Sequence, residues 1–131
     1  MVNELRINKE MKSERYWNGC VSSDDFKSPI KVGTQAINLF NAHWVCIINY
    51  GDSIIYFDPL ARVPIPNVKA VIESQFKPKE ILYNHIRDET YISKRCGEIC
   101  CEFMKAAAKG PDYAHKFVQE HKVFDKLRDC E

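Results

Sequence analysis

Long apolar runs are missing from this chain. The longest uninterrupted one is Trp44 to Ile48, far too short to cross a bilayer, so no membrane span is expected. The opening residues, MVNELRINKEMKSERY, are polar and charged, with no apolar stretch of the secretory kind, so the chain is not expected to be secreted. An excess of one charge is missing too. The 19 Lys and Arg stand against 18 Asp and Glu, a formal net of +1, which gives neither DNA nor an anionic membrane an electrostatic hold. Paired metal-ligand spacing is absent: Cys100 and Cys101 are adjacent and the four histidines are scattered, so no metal or cofactor is expected. There is no internal repeat and no low-complexity tract.

The bulk numbers fit one domain over residues 1–131, with 45% hydrophobic and 28% charged residues, as in a globular protein with a single core. Six cysteines, at 20, 46, 96, 100, 101 and 130, are an even count. With no signal peptide, and with Cys46, Cys100 and Cys101 in apolar runs, free thiols in a reducing compartment are the expectation. Cys20 and Cys130 sit in polar contexts and read as exposed free thiols, with an intermolecular disulfide as the weaker alternative.

Residues 1–16 suggest a short helix carrying Leu5, Ile7 and Met11. Residues 17–34, rich in Gly, Ser, Asp and Pro, read as loop, with a turn at Asn18-Gly19. Trp44–Ile48 and Ile54–Phe57 flank Asn49-Tyr50-Gly51-Asp52, a hairpin signal, and both runs are apolar on both faces, as in a sheet covered on both sides. Val68, Val71, Ile72 and Phe76 mark a helix, and Glu80 to Ile86 a strand. Ser93 suits the N-cap of a helix running to about Lys109, stopped by Gly110-Pro111. Its buried face is Cys100, Cys101, Phe103, Met104 and Ala107. Asp112 suits the cap of a last helix, whose stripe is Tyr113, Phe117, Phe124 and Leu127. The expected class is α+β: a small central mixed or antiparallel sheet flanked by helices.

A symmetric turn centred between Tyr50 and Gly51 sets Ile47 opposite Ile54, Val45 opposite Tyr56 and His43 opposite Asp58. Opposed residues share a face, with Cβ atoms roughly 5 Å apart. A carboxylate there would accept from one imidazole nitrogen and turn the other towards a nucleophile. A slip of one residue would separate the two side chains. If Ser93 caps its helix, Cys96 lies in the first turn, where the helix dipole and the nearby Lys94 and Arg95 favour a thiolate. His, Asp and Cys in that order are the inventory of a cysteine-nucleophile hydrolase. Gly97 would let a substrate backbone approach closely.

The blocks His43-Trp44, Tyr56-Phe57-Asp58-Pro59 and Ser93-Lys94-Arg95-Cys96-Gly97-Glu98-Ile99-Cys100 resemble the adenain family. These are the maturation cysteine proteases of adenoviruses, with relatives in virophages and Polinton-type elements and wider kin among ubiquitin-like-protein proteases. The resemblance covers roughly residues 16 to 108. It implies a papain-like peptidase with the catalytic cysteine at a helix N-terminus, cleaving viral capsid precursors near small residues such as glycine. It carries over His43 as base, Asp58 as orienter and Cys96 as nucleophile. It also implies a possible activating peptide, and a place in the host cytoplasm, host nucleus or virion. The family glutamine that donates to the oxyanion falls at Glu89, followed by Thr90. An ionised glutamate only accepts hydrogen bonds. A protonated Glu89, donation by Thr90, or a shifted alignment all stay open, with the Cys96 N–H as a donor in each case and Trp44 and Gly97 as auxiliary residues. Two other functions stay open beside capsid processing: a protease for a ubiquitin-like modifier, and a catalytically weak protease fold kept as a binding module.

Overall fold

A computed structural model describes residues 3–84 and 96–120, and the backbone of 87–88 and 122–123. The elements in chain order are α1 (Glu4–Met11), β1 (Trp17–Ser22), β2 (Gly33–Leu39), β3 (His43–Asn49) and β4 (Ser53–Phe57). Then come α2 (Pro66–Phe76), β5 (Glu80–Tyr83), β6 (Arg87–Asp88), α3 (Cys96–Ala107), α4 (Pro111–Glu120) and β7 (Lys122–Val123). Strands β1 to β5 form one sheet in sequence order, and β6 pairs with β7. The sheet is mixed. The pairs β2–β3 and β3–β4 are antiparallel, while β1–β2 and β4–β5 are parallel. The α+β expectation holds at this level.

β3 and β4 are buried at every position, which is why neither shows an apolar–polar alternation in sequence. Odd and even residues instead feed two separate cores. One face presents Trp44, Cys46, Ile48, Ile55 and Phe57 to α1, α3 and α4; the other presents Val45, Ile47, Ile54 and Tyr56 to α2. Phe57 stacks on Phe103 of α3 at 4.2 Å between centroids, and Phe117 of α4 meets both rings edge-on. This aromatic trio fixes the C-terminal end of β4.

Several expectations change. Trp17–Ser22, read as loop, is an edge strand. Its ladder is irregular between Trp17 and Cys20 and includes Gly19 at φ +86°, so it carries no strand periodicity to read. In α1 only Ile7 and Met11, one turn apart, are buried, and Leu5 faces solvent. In α4, Asp112 lies in the first turn behind Pro111 rather than at the cap, and Tyr113 is exposed. The strand expected from Glu80 ends at Tyr83. Ser93, Phe124 and Leu127 lie outside the described residues.

The hairpin is even but displaced. Observed pairs are Cys46 with Phe57, Ile47 with Tyr56, Ile48 with Ile55 and Asn49 with Ile54. The turn therefore centres on Gly51-Asp52, closed by Tyr50 N donating to Ser53 O at 2.9 Å, with Asn49 Oδ1 accepting from Gly51 N at 2.7 Å. Gly51 at φ +96° supplies the backbone this turn needs. His43 and Asp58 are thus diagonal rather than directly opposed. A displacement of two residues preserves the face, and the two side chains still meet.

Candidate active site

His43 opens β3 and Asp58 follows β4, at the same end of the sheet. Nε2 of His43 lies 2.6 Å from Oδ1 of Asp58, and both side chains are almost wholly buried. A charged carboxylate in that setting needs donors around it. Asp58 Oδ1 also accepts from Leu60 N at 2.8 Å, and Oδ2 lies 3.7 Å from Nε of the half-exposed Arg62. A carboxylate facing Nε2 fixes the hydrogen on that nitrogen and leaves the lone pair on Nδ1. Nδ1 is buried and has no hydrogen-bond partner among the described residues. The ring nitrogen with basic capacity is therefore the one the carboxylate does not occupy.

Asn84, directly after β5, holds the main chain of Asp58 from the side. Its Oδ1 accepts from Asp58 N at 2.9 Å and its Nδ2 donates to Asp58 O at 2.6 Å. Ala61 N donates to the same carbonyl at 2.7 Å, closing the tight turn through Pro59. Sequence reasoning missed Asn84. An asparagine after a short strand looks like any turn residue, and only the parallel β4–β5 pairing brings it alongside Asp58.

Cys96 is the first residue of α3 and is fully buried. β4 pairs with β3 only from Cys46 onward, so the polar groups of Trp44 lie beyond that ladder. Two sulfurs from α3 meet them. Trp44 N donates to Cys96 Sγ at 3.4 Å, and Cys100 Sγ donates to Trp44 O at 3.4 Å. Cys96 and Cys100 are one turn apart on one helix face, which is why they reach the two polar groups of one residue. Trp44, counted from sequence as an auxiliary residue, therefore meets sulfur through its main chain. Gly97 is buried in the first turn of α3.

Strand alternation puts the His43 side chain on the α2 face and α3 on the other. Cys96 reaches the sheet at the residue next to His43, without a hydrogen bond to Nδ1. Cys96 is disulfide-bonded in the structure. This differs from the expectation that every thiol is free; Cys20, Cys46, Cys100 and Cys101 form no disulfide. Burial pushes the Cys101 thiol up to about 12, with Cys100 adding to it, and raises Cys46 as well. Cys20 is half-buried on the core rather than exposed, and burial followed by the charge of Glu4 takes it to about 12. None of these three is suited to be a thiolate near neutral pH.

Glu89, Thr90, Lys94, Arg95 and Cys130 lie outside the described residues. Among the described residues there is no group of three or more His, Cys, Asp or Glu side chains arranged to hold a metal ion, and no helix long and apolar enough to cross a membrane. No protein-family model matches the chain. No curated protein matches it either.

Proposed function

We propose that the chain is a papain-like cysteine endopeptidase in which Cys96 is the nucleophile, His43 the base and Asp58 the orienting acid. The observation that carries the reading is the buried His43–Asp58 contact at 2.6 Å, one residue along the strand from the amide that holds Cys96 Sγ. In the reduced protein, the reaction requires the His43 ring to come within reach of Cys96 Sγ, which it does not contact in this structure; Cys96 then passes its proton to Nδ1 and the thiolate attacks a peptide carbonyl. The imidazolium, steadied by Asp58, returns the proton to the departing amine. Water, deprotonated by the same nitrogen, then releases the acyl group from sulfur. Reduction precedes all of this, because a sulfur held in a disulfide has no thiolate to offer. The proposed substrate, from the adenain-like pattern of the motifs, is a viral precursor polypeptide cut near small residues, inside the host cell or virion.

A second reading is favoured by the disulfide at Cys96 and by the missing contact to Nδ1: a protease fold that binds polypeptides without cutting them. Iodoacetamide labelling after mild reduction separates the two. The peptidase reading expects Cys96 to react much faster than Cys20, and His43→Ala to abolish the difference. It also expects co-encoded capsid proteins to be cleaved, and Cys96→Ala to stop the cleavage. A Cys96 no more reactive than Cys20, with no cleavage, leaves the binding module.

A further inference from the structure

The candidate site is closed. Cys96 is 0% exposed, His43 3% and Asp58 1%. A sulfur that attacks a polypeptide has to be reached by a carbonyl carbon, so something has to leave before this one can act. The sulfur itself carries the clue, because Cys96 is in a disulfide. The chain holds six cysteines, and Cys20, Cys46, Cys100 and Cys101 form no disulfide. Within one molecule that leaves Cys130 alone to pair with it.

The chain is long enough for that pairing. Phe117 of α4 meets Phe103 of α3 at 5.7 Å between ring centroids, so α4 lies against the helix that Cys96 opens. Cys96 and Phe103 are about 10 Å apart along the helix axis. The residues 121–130 that follow α4 span at most roughly 33–36 Å when extended. Their early members, Lys122 and Val123, pair with β6, on the stretch of chain that leads into Cys96. The other thiols are poor rivals for Cys130. Cys100 Sγ donates to Trp44 O, and Cys46 Sγ donates to Cys100 O at 3.9 Å. Burial holds the Cys20 and Cys101 thiols up at about 12, and disulfide exchange needs a thiolate. Cys96 differs: it starts a helix and accepts from Trp44 N at 3.4 Å, and both influences favour negative sulfur.

We propose that Cys130 is the disulfide partner of Cys96, and that the C-terminal segment is a strap, released by reduction, which blocks the candidate nucleophile. The blocking of activity rests on the peptidase reading; the bond does not. Release takes a low-molecular-weight thiol or dithiol. Its thiolate attacks the Cys130 sulfur, since burial shields Cys96. The S–S bond breaks, and Cys96 departs with the electron pair as a thiolate facing the Trp44 N–H. A second thiolate of the reductant then attacks the mixed disulfide and frees Cys130, which takes a proton. Two electrons have passed to the protein, and the reductant leaves as its own disulfide. Closing the strap is the reverse exchange, with a small disulfide as oxidant. A stabilised leaving thiolate speeds the opening.

The test is a non-reducing tryptic digest of the monomer after equilibration with oxidised glutathione. Cleavage after Arg95, Lys105 and Arg128 frees residues 96–105 and 129–131 as separate peptides. Mass spectrometry should find the two joined through Cys96 and Cys130. A join found only in a covalent dimer, a Cys96 capped by glutathione, or a Cys96 left as a thiol overturns the strap. Cys130→Ser, purified without reductant, gives a second measurement. Iodoacetamide should label Cys96 fully in this variant, and should leave Cys96 of the unaltered protein unlabelled until dithiothreitol is added. A variant that still needs dithiothreitol overturns the strap. Precursor cleavage is read separately. Joined peptides, with a Cys130→Ser protein that labels freely but cleaves nothing, keep the disulfide and overturn the peptidase. Cys96-dependent cleavage without the joined peptides does the opposite.

Discussion

The carboxamide of Asn84 brackets the main chain of Asp58, accepting from its N–H at 2.9 Å and donating to its C=O at 2.6 Å. The pair locks the residue that faces His43 from outside the hairpin. Asn84→Ala leaves the Asp58 N–H buried without that partner, an expected loss of about 1–3 kcal/mol in urea denaturation. The same variant should lower kcat more than it raises KM, because Asp58 is then held less firmly against the imidazole. A drop in stability with unchanged kcat would assign Asn84 to the fold alone.

Asp58→Asn keeps the shape of the side chain, and an amide nitrogen in the place of Oδ1 donates to His43 and favours the wrong tautomer, while leaving Leu60 N without its acceptor. By analogy with carboxylate-to-amide changes in other triads, kcat should fall by about 10⁴-fold, with a stability loss of about 1–3 kcal/mol for the buried N–H left unpaired. Steady-state kinetics on a cleaved precursor peptide, beside a thermal melt, check both halves.

Oxidation state should gate the activity. Protein with the Cys96 disulfide intact is expected to be inert towards peptides and towards iodoacetamide at that residue, and dithiothreitol should restore both. Activity that persists in protein shown by mass spectrometry to hold the disulfide would remove Cys96 as nucleophile.

Alkaline pH should loosen the fold. Cys20 and Cys101 move from an ordinary 9.0 to about 12 when folded, chiefly through burial. A thiol whose folded pKa is raised helps the folded state below its unfolded value. That help is lost as pH climbs through the folded value. The melting temperature should therefore decline from about pH 9 towards 12, and Cys101→Ala should flatten part of the decline.

Phe103 lies between β4 and α4, stacked on Phe57 and edge-on to Phe117. Phe103→Ala should cost about 3–5 kcal/mol, as large-to-small changes of buried aromatics do. Because Phe57 precedes Asp58, this change should also weaken catalysis in protein that remains folded at low temperature.

Much of the site's layout was legible in the sequence because strand geometry is strict. Side chains alternate with a period of two, so an even turn was enough to put His43 and Asp58 on one face. The turn's true centre, at Gly51-Asp52 and one residue beyond Tyr50-Gly51, changed the opposed pair to a diagonal one without separating them. β1 was not legible. Its irregular ladder leaves no period, and its partner β2 lies alongside it in parallel, a pairing that no turn signal announces.

The residues themselves determined a two-sided apolar hairpin, an α3 stripe of cysteines and aromatics, and the parity that joins His43 to Asp58. Tertiary structure alone decided what surrounds them. It set Asn84 against Asp58 across a parallel strand pair, and brought Cys96 and Cys100 to the two polar groups of Trp44. The reason is that local sequence fixes which way a side chain faces along its own strand or helix. What it then meets depends on the order and direction of neighbouring strands, and those are settled by packing across the whole sheet.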